Sequence, residues 1–120
     1  MAEPALTPAL ALDYLDELST DIRGAVLLDS DRRVVAGWRG DTDRAERLRE
    51  PLVELLQRAD TAPPGGDPPA QVEVTTQRGA VFCVRDERWT LAAVTGRFAL
   101  PSLVFYDLRH VLRDLEPAAS

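Results

Sequence analysis

The sequence predicts an α+β fold of three helices and five strands in the order α-β-β-α-β-β-β-α. Apolar residues recur at helical spacing in three segments, near the start, the middle and the end. Short apolar runs of strand length fill the intervals, and polar or glycine-containing turns separate them. At 120 residues there is room for one domain, taken as residues 1–120 with an ordered core of about 7–116, and 45% hydrophobic residues supply that core.

Thr7 and Pro8 open the first helix, threonine as the N-cap and proline where its missing N–H costs nothing. It extends to about Thr20, with Ala11, Leu15, Leu18 and Ile22 on the packing side and Asp13, Asp16 and Glu17 on the wet side. Gly24 to Asp29 is apolar without alternation, the pattern of a strand covered on both faces. After the polar turn Asp29–Arg33, Val34 to Trp38 returns as the second strand of a hairpin. Asp41, Thr42 and Asp43 then cap a second helix, Arg44 to Asp60, whose stripe is Ala45, Leu48, Leu52, Leu55, Leu56 and Ala59. Pro51 lies inside it and predicts a kink or restart near Glu50. Thr61 to Pro69 carries four prolines and two glycines and reads as an exposed connection.

Three strands follow: Gln71 to Thr76, Ala80 to Arg85 and Trp89 to Thr95. Only the first alternates, which marks it as an edge strand, and no lysine or proline protects it from pairing with another strand. Pro101 starts the last helix, which runs to about Leu115 with Val104, Leu108, Val111, Leu112 and Leu115 as its stripe.

The charged residues exclude several chemistries. Twenty acidic against fourteen basic residues give a formal charge of −6, a poor surface for nucleic acid. Every basic residue is arginine, so a Walker-type phosphate loop, a Schiff-base enzyme and a Ser-Lys hydrolase lack the amine each requires. One histidine, His110, rules out two-histidine metal sites. One cysteine, Cys83, rules out an internal disulfide. No segment is apolar enough to span a membrane and Met1-Ala2-Glu3-Pro4 lacks the basic start of a signal peptide, so no membrane insertion and a cytoplasmic location are expected. Richness in arginine, alanine and proline suggests a GC-rich bacterial genome.

The first helix running into G-A-V-L-L-D-S-D-R-R-V-V-A, the hairpin R-G-A-V-F-C-V, and W-T-L-A-A-V-T followed by L-V-F-Y-D-L-R together resemble the Roadblock/LC7 family, over Leu6 to Leu115. The resemblance implies a five-stranded antiparallel sheet of order 2-1-5-4-3 and dimerisation through the second helix and third strand. It also implies a signalling role as a non-catalytic partner of Ras-like small GTPases, with the MglB-like bacterial regulators as functional analogue. Family members commonly carry glycine in the first hairpin turn, where this chain has Arg32 or Arg33. They also carry a glycine-containing loop before the last helix, where it has Leu100-Pro101-Ser102.

The residues offer few other chemical candidates. Cys83, inside an apolar strand, reads as a packing residue. His110 projects to the polar side of the last helix between Asp107 and Asp114 and reads as a solvated histidine. Asp29 and Asp31 look like the start of a calcium loop, but no bidentate glutamate follows, so turn chemistry accounts for them. Trp38 and Trp89 read as the rim of the core. No catalytic residue, cofactor or metal is expected. Leu48, Leu52, Leu55 and Leu56, with Val72 and Val74 on the edge strand, present more apolar surface than one small sheet needs and predict a homodimer interface. On the second helix Glu46, Glu50 and Glu54 form a ridge at i, i+4, i+8, with Arg44, Arg47 and Arg58 expected beyond the opposite edge of the stripe. Like charges at that spacing do not stabilise a helix, so this surface is the candidate for binding the GTPase. The alternative class is a PAS- or GAF-like sensory module for a small ligand.

Overall fold

A computed structural model describes residues 6–61 and 70–115. The elements are α1 (Pro8–Leu18), β1 (Ile22–Leu28), β2 (Val34–Gly37), a short 3-10 turn (Trp38–Gly40), α2 (Thr42–Thr61), β3 (Gln71–Thr75), β4 (Ala80–Arg85), β5 (Thr90–Thr95) and α3 (Pro101–Asp114). The order matches the expected one, and the strands form a five-stranded antiparallel sheet of order β2-β1-β5-β4-β3. Most of the proline-rich connection lies outside the described residues.

Burial on both faces explains the non-alternating strands. On one face Ala25, Leu27, Phe82, Val84, Leu91 and Ala93 pack with Leu12 and Leu15 of α1 and Val104, Leu108 and Val111 of α3. Phe82 meets Phe105 of α3 edge to face, with ring centroids 5.2 Å apart. On the other face Val26, Leu28, Cys83 and Ala92 pack with Ala45, Leu52 and Leu56 of α2. β3, at the sheet edge, alternates between exposed and half-buried residues. Trp38 and Trp89 are both buried.

Several expectations need correction. α1 ends at Leu18, which is exposed, and Ile22 begins β1 instead of closing the helix; the helix buries Ala11, Leu12 and Leu15. α2 runs unbroken through Pro51. Pro51 faces solvent, so the carbonyl one turn earlier that loses its donor can turn to water, while Leu52 and Leu56 anchor the neighbouring turns. The first hairpin turn uses Arg32 in the left-handed region, φ 63°, where a glycine is the ordinary choice. Asp29 compensates: its carbonyl accepts the N–H of Arg32 at 2.9 Å, and its side chain accepts those of Asp31 and Arg33 at 2.9 and 3.0 Å. That carboxylate is therefore committed to the turn.

Candidate functional site

The helix-to-sheet geometry creates the most distinctive surface. α2 packs chiefly on β2 and β1, so it covers only half of its face of the sheet. The other half leaves an apolar cleft of about 250 Å³ between α2 and the open strands, lined by Leu48, Pro51, Leu52 and Leu55 from the helix and by Val26, Val74, Val81, Ala92 and Val94 from the sheet. Among the described residues no polar side chain lines it.

The six residues expected at an interface divide between interior and surface. Leu56 is fully buried and Leu52 is 5% exposed, which makes Leu56 a core residue of the chain itself and Leu52 the floor of the cleft. Leu48 and Leu55 are half-buried on the cleft wall. Val72 and Val74 are half-buried on the same sheet face, and Val74 lines the cleft. Pro51, Val81 and Val94 also line it and were not foreseen. Strand patterning identifies covered faces, but it does not say how far across a sheet one helix reaches.

The charged ridge is solvent-exposed, with Glu46, Glu50 and Glu54 all on the surface. Arg58 does not stand apart from it: Arg58 Nη2 donates to Glu54 Oε1 at 3.1 Å, one turn away, so Arg58 continues the ridge. Arg47 is exposed. Arg44 is half-buried at the start of α2, with its guanidinium over Gly24 of β1.

His110 is more engaged than a solvated histidine. Arg113 Nη2 lies 2.9 Å from its Nδ1, while its Nε2 lies 3.4 Å from the Tyr14 hydroxyl of α1 and 3.5 Å from Asp114 Oδ2. The Tyr106 ring stacks on it, 6.4 Å away and nearly parallel. Arginine can only donate, so Nδ1 is the acceptor in that contact. Among the described residues no serine, threonine or cysteine is hydrogen-bonded to this imidazole; the hydroxyl beside it is that of Tyr14. Asp107, on the same helix, is raised above the usual carboxylate range by burial, with His110 partly offsetting the rise.

Cys83 is buried, and burial pushes its thiol up to about 12, which keeps it protonated and unreactive. In α1, Asp16 is not merely solvated: its carboxylate takes Arg39 through two bonds, 2.9 and 3.3 Å long. These hydrogen bonds hold Asp16 below its ordinary value. Arg39 too lies in the left-handed region, at φ 54°. Among the described residues no cluster of three or more potential ligands is arranged for a metal ion, and no helix is long and apolar enough to cross a membrane.

This architecture is a two-faced antiparallel sheet with α1 and α3 on one side and a half-covering α2 on the other. Solved structures identify it as the Roadblock/LC7 fold. A Roadblock/LC7 domain from Streptomyces avermitilis aligns with a TM-score of 0.75 and 23% identity over 86% of this chain and 89% of that one. The gliding protein MglB from Thermus thermophilus aligns at 0.71 and 16% identity over 95% of each chain. MglB from Myxococcus xanthus aligns at 0.72 and 9% identity over 87% of each. Neither a protein-family profile nor a curated protein matches the sequence.

Proposed function

We propose that the chain is a non-catalytic, homodimeric regulator or scaffold that binds a Ras-like small GTPase and modulates its nucleotide cycle or localisation in the cytoplasm. The observation that carries this reading is the open apolar cleft beside α2. A second copy supplies the missing cover: its α2 lies beside the first, and the unprotected β3 edges meet across the contact. The MglB-like fold supports the choice of a GTPase as partner. In such a dimer the Glu46, Glu50, Glu54 ridge occurs twice and forms a charged platform for that partner. The buried, protonated Cys83 supports a role without thiol catalysis. A small-ligand sensor has less support, because the cleft offers no polar anchor to orient a ligand.

The test is surface plasmon resonance of the immobilised protein against purified Ras-like GTPases of its host, each loaded with GDP or a non-hydrolysable GTP analogue. Binding that depends on the bound nucleotide is expected for one of them. Absence of binding by all of them in both states overturns the reading.

A further inference from the structure

The sheet end opposite Asp60 gathers four arginines from separate elements. Arg23 lies in β1 near its start, Arg44 in the first turn of α2, Arg78 in the β3–β4 turn and Arg97 just after β5. Arg23 and Arg78 line two cavities in common, of about 380 and 200 Å³. Arg97 and Phe98 complete the larger and Arg44 the smaller.

Two glycines make room for these cations. A Cβ at Gly24 would stand 2.9 Å from Nη2 of Arg44, and one at Gly96 would stand 3.0 Å from Nη2 of Arg23. Both guanidiniums therefore lie against bare backbone, Arg23 exposed and Arg44 half-buried at the cavity walls.

Among the described residues none of the four guanidiniums is ion-paired or hydrogen-bonded to a carboxylate, as is also true of Arg33, Arg47, Arg49 and Arg109 elsewhere, whereas Arg32, Arg39, Arg58, Arg85, Arg88 and Arg113 each have an acidic partner. Among the described residues Asp21 alone brings a carboxylate to either cavity. In a chain with a formal charge of −6, cations grouped without partners are a surface complementary to an anionic ligand.

The neighbouring side chains narrow the choice of ligand. Phe98 is 87% exposed, with the Arg97 guanidinium 5.2 Å from its ring centroid, and Leu100 and Leu103 follow at 59% and 57% exposure. A free inorganic anion would use the arginines and leave these apolar groups in water. An anionic bilayer is disfavoured because the overall negative charge opposes approach to such a surface. We propose that this sheet end docks an acidic segment of a partner protein, its carboxylates entering the two arginine-lined cavities and a flanking apolar side chain covering Phe98 and Leu100. The site is separate from α2's charged ridge and does not depend on the GTPase reading.

The probe is a short fluorescein-labelled peptide, rich in glutamate and ending in phenylalanine and leucine, titrated with the full chain and followed by fluorescence anisotropy. Saturable binding that weakens with salt is expected. It should fall roughly tenfold or more in the Arg23→Ser, Arg78→Ser double variant, fall in Phe98→Ser, and stay unchanged in Glu50→Arg. Arg78 is exposed in a turn, so Arg78→Glu alone serves if the double variant does not fold. Absence of peptide binding overturns the proposal. So does equal binding of a glutamate peptide without the apolar end, or full competition by tripolyphosphate, either of which indicates an anion pocket only. Binding to phosphatidylserine vesicles without peptide binding indicates a membrane surface and overturns it too.

Discussion

Asp60, in the last turn of α2, accepts Arg32 Nη2 at 3.1 Å on one carboxylate oxygen and takes the Arg85 guanidinium on the other. One carboxylate thereby ties the end of α2 to the β1–β2 turn and to the end of β4. The Arg85 hydrogen bond is the largest influence holding the Asp60 carboxyl below its ordinary value, and Arg32 adds to it.

A depressed carboxyl contributes stability that is present above the unfolded value, near about 3.9, and is lost as pH falls through the lower folded value. Asp60→Asn should therefore cost about 1–3 kcal/mol at pH 7. The difference from the unmodified protein should shrink as pH falls below about 4. Urea denaturation across that range measures it, and a pH-independent difference would refute the electrostatic account.

Leu55 and Leu56 are adjacent in sequence but belong to different environments. Leu55→Asp, on the cleft wall, should give a folded monomer by light scattering, and the unmodified protein is expected to be a dimer. Leu56→Ala, in the core, should instead destabilise the fold by about 2–5 kcal/mol. A protein that is already monomeric at tens of micromolar concentration would remove the proposed interface.

Cys83 should resist Ellman's reagent in the folded protein at pH 8 and react promptly once the chain is unfolded, because its thiol is pushed up to about 12 by burial. Rapid reaction of the native protein would mean that β4 opens locally.

Charge on the ridge should control encounter with the GTPase more than stability. Glu50→Arg with Glu54→Arg should slow association and flatten its salt dependence. Folding stability should move by only about 0.5 kcal/mol per exposed substitution. The competing surface is α3, where Tyr106 is exposed beside His110. Unchanged kinetics in the ridge variant together with lost binding in Tyr106→Ala would assign the contact to α3.

Local chemistry written in the sequence was sufficient for the elements. The Thr7 cap, whose Oγ1 accepts the Leu10 N–H at 3.3 Å, the apolar stripe of α3 and the alternation of β3 can all be read within a few residues, because helix and strand periods are local properties. That the apolar run from Gly24 is buried on both faces, as far as Leu28, was equally legible. The sheet order entered through family resemblance, since antiparallel partners far apart in sequence leave no periodic mark.

Only the tertiary structure decided how each face is used. It placed Leu56 inside and Leu55 at a cleft, because the reach of α2 across the sheet depends on which strands lie beneath it. It carried α2 through Pro51, because solvent on that side can satisfy the freed carbonyl. It brought Arg23, Arg44, Arg78 and Arg97 to one end of the sheet, because the antiparallel register sets the start of β1 beside the end of β5 and the start of β4. Residues dispersed along the chain become one charged surface only when strand pairing fixes their common edge.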